Sequence, residues 1–209
     1  MVTSLPGPRA ATRWRQPRVA AWVSGAAGIL AGVLLVMFFA LAGRHGWDWT
    51  GTANDVAVAV QFAAFAPAAW ALRRRLPATW AVQAGTIAAV FAMIAAAVLH
   101  LLLVAGALSF EAQVPAAIAA FLVVYAWLLG AGLAAHRARA LPRPVTRTGL
   151  LLAVAFLVGM VLAGAGLVLP GPSGRLALWL GLALGFPGWL GLPAYPLVLA
   201  RYVFTKEES

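Results

Sequence analysis

The chain has 209 residues, 64% of them hydrophobic and only 10% charged, with a mean hydropathy of +0.93. Soluble domains run at about 45–50% apolar and about 25% charged, so an ordinary soluble domain is excluded. The net charge of +10 would suggest nucleic acid on a soluble protein. Here the arginines stand in short segments between apolar runs, where they read as orientation signals and as attraction to anionic lipid headgroups. No nucleic-acid partner is expected. The absence of cysteine removes disulfides, thiolate metal sites and cysteine nucleophiles.

Residues 1–18 carry Pro6, Pro8 and Pro17 with Arg9, Arg13, Arg15 and Arg18, and read as a disordered leader. The first apolar run, about 19–42, exceeds a signal-peptide core of roughly 7–15 residues and predicts a membrane span. Ala40-Leu41-Ala42 resembles a small-residue cleavage site all the same. Gly25, Gly28 and Gly32 share one face of this span, where small residues let a second helix come close. Residues 43–55 form the longest outer connection, with Trp47 and Trp49 suited to the headgroup layer. Thr52, Asn54 or Asp55 would cap the next helix.

The second span, about 53–72, carries Gln61 and a proline, Pro67, expected to kink it. It stops at Arg73-Arg74-Arg75 and Pro77, because three adjacent guanidiniums do not sit in hydrocarbon. Trp70 and Trp80 flank that turn as an aromatic belt. The third span, about 79–104, carries Gln83 and His100. An outer turn, 105–113, holds Glu111 and a capping candidate, Ser109, with Pro115 suited to a first helical turn. The fourth span is about 114–135, with Tyr125 midway. His136, Arg137, Arg139, Arg143 and Arg147, with Pro142 and Pro144, make an inner linker. The fifth span is about 148–169, and Pro170-Gly171-Pro172-Ser173-Gly174 is a turn.

The last run, about 175–203, opens with Gly181 and Gly185 four apart. From Gly185 to Pro196 it holds Pro187, Pro193 and Pro196 with Gly185, Gly188 and Gly191, which predicts a kinked or broken helix. Residues 204–209 are a short polar tail. The expected fold is therefore all-α, a transmembrane bundle of six spans. With both termini on the cytoplasmic side, thirteen of the fifteen basic residues fall on that side and only Arg44 and Arg175 on the other, as the positive-inside rule requires. The Ala-, Gly- and Arg-rich style suggests a bacterial plasma membrane.

Polar groups within a bilayer are the first functional suspects. His100 lies about 31 Å from Thr79 along its helix, near the outer boundary where Asp55 begins the second span. Gln61 is about 9 Å deeper. Asp55, Gln61, His100 and Glu111 could thus share one outer pocket, serving a proton-linked or metal-touching site; the plainer reading is a cap, a helix–helix hydrogen bond and an interfacial histidine. The backbone from Gly188 to Pro193 is the second suspect, since broken helices expose carbonyls that transporters use. The plainer reading there is a bend that packs around its neighbours. No cofactor is expected: His100 is the only histidine within a span, and haem ligation wants a matched pair. No metalloprotease, nucleophile-elbow, P-loop or dinucleotide motif occurs.

The leading expectation for function is a non-enzymatic subunit or regulator acting through helix packing. Its partner would be another membrane protein or a second copy, meeting faces such as Gly25, Gly28, Gly32 or Gly181, Gly185. One alternative is a small-solute transporter or channel using the broken last span. A second is an outer-interface enzyme or metal site around His100.

Overall fold

A computed structural model describes residues 8–41, 46–47 and 49–204, with side chains from residue 16 onward. Ala42, Arg44, His45, Asp48, Lys206 and the first seven residues lie outside it. All regular structure among the described residues is helical: α1 (Pro8–Leu41), α2 (Trp49–Leu72), α3 (Trp80–Val104), α4 (Phe110–Ala138), α5 (Arg143–Val168), α6 (Gly171–Leu190) and α7 (Ala194–Tyr202). Among the described residues, six stretches are long and apolar enough to cross a membrane, α6 and α7 together making the sixth. The protein is a multi-pass transmembrane helix bundle. Helices are the natural outcome, because hydrocarbon offers no partner for an unpaired backbone group.

Element boundaries differ from the expected ones wherever polar residues continue a helix past the apolar run. α1 begins at Pro8 and passes through Pro17 rather than leaving 8–18 irregular. A proline there frees an upstream carbonyl in a polar stretch where water can satisfy it. α2 begins at Trp49, so Thr52, Asn54 and Asp55 lie inside the helix instead of capping it. The hydroxyl of Thr50 donates to the Trp47 carbonyl at the start of α2, 2.8 Å away. α2 also runs unbroken through Pro67. The other end signals act as chemistry dictates: Thr79 accepts from the Val82 N–H and Ser109 from the Ala112 N–H. Arg139 closes α4 in the left-handed conformation at φ 49°. Pro144 sits in the first turn of α5, where its missing N–H has no intrahelical partner to lose.

Consecutive helices pack side by side from α1 to α6, and α7 then lies against both α1 and α5. The chain thus closes on itself, its first span touching its last. α2 is the most enclosed span. Its Phe62 stacks on Phe121 of α4, and Phe65 packs edge-on against Trp127 and Tyr195. Tyr125 lies flat on Phe156 with ring centres 3.9 Å apart. These aromatics are the centre of the bundle, while Ile29, Phe91, Leu151, Val161 and Trp179 face outward, as a bilayer allows.

The expected irregularity of the sixth span is confined to a turn at Gly191-Leu192-Pro193. Contacts with α5 keep their step across it. Gly166 meets Leu178, Gly159 meets Gly185, Gly188 meets Phe156, Gly191 meets Leu152 and Gly149 meets Tyr195. Each step along α5 is matched, to within one residue, by a step the other way along α6 and α7. Beyond the turn the span also reaches α1: Gly28 meets Pro193, and Gly25 meets Leu197. Gly25, Gly28, Gly181 and Gly185 are therefore occupied by contacts within the chain, and Gly32 has Leu190 at van der Waals distance.

Arg73, Arg74 and Arg75 after α2, Arg137 and Arg139 ending α4, Arg143 and Arg147 opening α5 and Arg201 in α7 collect at one end of the bundle. Among the described residues, Arg175 alone stands toward the other end. The guanidinium of Arg73 lies over the Trp70 ring, 4.1 Å from its centre, where cation and aromatic face attract.

Candidate functional site

Two polar places are built on α2, on different faces of that helix. The first joins three helices near the end away from the arginines. His100 of α3 is buried at 8% exposure, and its Nδ1 stands 2.8 Å from Asp55 Oδ1 of α2. Gln113 of α4, equally buried, places its amide nitrogen 3.3 Å from His100 Nε2 and 3.4 Å from Nδ1. A carboxylate accepts only, so the ring proton belongs on Nδ1 and is donated to Asp55. The Gln113 amide nitrogen, nearly equidistant from the two ring nitrogens, covers the imidazole from α4.

The expected pairing of Asp55 with His100 is present, but Gln61 and Glu111 do not join it. Gln61 follows Asp55 by six residues, about 600° of helical rotation, which turns it to the face toward α1. Glu111 precedes Gln113 by two residues, about 200°, and is exposed. Gln113 is the partner that residue-type reasoning missed. Its signal was weak: an amide one turn into an otherwise apolar span.

An imidazole held by a carboxylate is the arrangement that orients a general base. In such a base the second nitrogen faces the reacting group; here the ring is buried under the Gln113 amide. No group of three or more histidine, aspartate or glutamate side chains that could hold a metal occurs among the described residues. The arrangement is suited to tying α2, α3 and α4 together.

The second place is a crevice between α1, α2 and the turn of the sixth span. Gln61, Asn54, Gly28, Gly32, Leu190 and Pro193 are among its walls, and its volume is about 30 Å³. It brings together the predicted Gln61 and Pro193. Gly188 belongs elsewhere: its carbonyl accepts from the Tyr125 hydroxyl at 3.0 Å, with the Trp189 carbonyl at 3.4 Å. The Gly188 carbonyl needs that donor for a backbone reason. Pro193 has no N–H for Trp189, and the Leu192 N–H bonds Trp189 instead of Gly188. Tyr125 thereby satisfies part of the helix break from within the protein, as non-helical backbone in a membrane requires.

A further tie links α3 and α4, where the buried Trp127 indole donates to Thr86 Oγ1 at 3.1 Å. Thr86 in turn donates to its own helix at the Val82 carbonyl. No known protein family, curated protein or solved structure matches the chain.

Proposed function

We propose that this multi-pass protein is a non-enzymatic subunit or regulator that acts by packing against another membrane component. Its setting would be a bacterial plasma membrane, with the arginine-rich end in the cytoplasm against anionic headgroups. The observation that carries the reading is the closed state of the Asp55–His100–Gln113 cluster, whose buried imidazole is held by Asp55 and covered by the Gln113 amide of a neighbouring helix. Tyr125 and Trp127 use their polar atoms in the same way, to join helices. A cavity of about 30 Å³ has room for little more than a water molecule, which lends solute transport less support.

With Gly25, Gly28, Gly181 and Gly185 engaged internally, Gly130 and Gly164, which have nothing within 4 Å of an added Cβ, are the places to probe. A photo-crosslinking residue at position 130 or 164, activated in native membranes, should give a discrete product of one reproducible mass, containing a second membrane protein or a second copy. Lipid adducts alone at both positions would refute the proposal.

A further inference from the structure

We propose that the crevice at Gln61 is an internal water-binding site, reached past Asn54 and continued by Ser24. Three separate features point to it. Gln61 is 6% exposed, and its amide makes no hydrogen bond to any described residue. Gln61 lines the crevice, so a partner for its amide comes from that space, and an amide left without one costs up to about 1–3 kcal/mol. The space it faces, about 30 Å³, exceeds the about 10–15 Å³ that a water needs.

The second feature is Ser24. Its hydroxyl is fully buried and has no hydrogen-bond partner, not even the carbonyl one turn back that mid-helix serines commonly use. The contacts of Gly51 with Phe38 and of Gly28 with Gln61 set the antiparallel register of α1 and α2. In that register Ser24 follows on the same face of α1, one turn or about 6 Å beyond Gly28. Asn54 lies about 10 Å on the other side of Gln61 and seven residues from it, which returns it to the same face of α2. Asn54, Gln61 and Ser24 therefore make a polar file along one seam.

The third feature is the opposite wall. The Ala194 N–H, which in an unbroken helix would bond the Leu190 carbonyl, goes to Gly191 at 2.9 Å. The Leu190 carbonyl is left without that donor beside the crevice. A water bonded to Gln61 would have the two or more polar partners that a buried water needs. Gly28 makes the space: an added Cβ would stand 2.8 Å from the Gln61 amide nitrogen.

The test is radiolytic hydroxyl-radical labelling of the full chain in nanodiscs, in which bound water is itself the radical source. Leucines of one chemistry supply the comparison. Leu35 and Leu192 line the crevice, Leu199 is fully buried away from it, and Leu30 faces outward. Leu35 and Leu192 should label several-fold faster than Leu199 and Leu30, and Gln61→Leu should bring them down to the Leu199 rate. Equal labelling of all four in the native chain overturns the proposal. So does fast labelling that persists in a folded Gln61→Leu protein. Should that variant not fold, the native comparison decides alone.

Discussion

Replacing Gly159 with alanine drives a methyl into the backbone of the sixth span. The added carbon would collide with the Gly185 nitrogen and Cα and stand 2.7 Å from the Gly181 carbonyl oxygen. Ordinary contact begins at 3.4 Å, so α5 and α6 must part by at least about 0.7 Å, and further at the Gly185 backbone, and main chain cannot swing aside as a side chain can. A gap of that size forfeits about a third of each dispersion contact along the seam. With roughly 40 atom pairs at about 0.15 kcal/mol each, the loss is about 2 kcal/mol, within the about 1–3 kcal/mol typical of overpacking. The assay is unfolding of the purified protein in mild detergent, followed by helical circular dichroism as SDS is added. The midpoint should fall for Gly159→Ala and stay unchanged for Gly130→Ala and Gly164→Ala, whose methyls meet open space. A native midpoint for Gly159→Ala, or an equal fall for Gly130→Ala, would refute the packing argument.

The same unfolding assay checks Tyr125→Phe. It keeps the stack on Phe156 but removes the hydroxyl from the Gly188 carbonyl, and should cost about 1–3 kcal/mol. A double-mutant cycle over Asp55→Ala and His100→Ala should give a coupling of about 0.6–1.7 kcal/mol, the range for polar ties between membrane helices; zero coupling would remove the tie. The absence of native cysteine makes topology directly readable. In intact cells a membrane-impermeant thiol reagent should label Ala107→Cys, in the turn after α3. Ala78→Cys, beside the triple arginine, should react only once the cells are opened.

The spans were legible because about 20 apolar residues in a row have few alternatives to crossing a membrane. Their number and order follow from that fact and from the arginines between them. The helix ends were less so, since Trp49 to Thr52 and Arg143 to Arg147 continue helices with residues that the apolar count leaves out. The break near Pro193 was readable from proline and glycine chemistry. Its confinement to three residues was not, because that depends on Tyr125 from a distant helix. Asp55 and His100 were matched by depth alone. Depth could not tell Gln61 from Gln113, for that turns on rotation about each helix axis. In a bundle whose lipid-facing and protein-facing sides are both apolar, no amphipathic stripe records rotation. For the same reason nothing in the pattern announced that α7 would lie against α1.

That closing contact orders the events of synthesis. α7 leaves the ribosome after every other described helix, and until it arrives the Gly25–Gly28 face of α1 has no Leu197 or Pro193 to meet. A nascent chain halted before residue 194 would present an unfinished seam to the membrane's quality-control proteases, with Gln61 bare beside it. The nine residues of α7 are thus the last of the described helices to close the seam with α1.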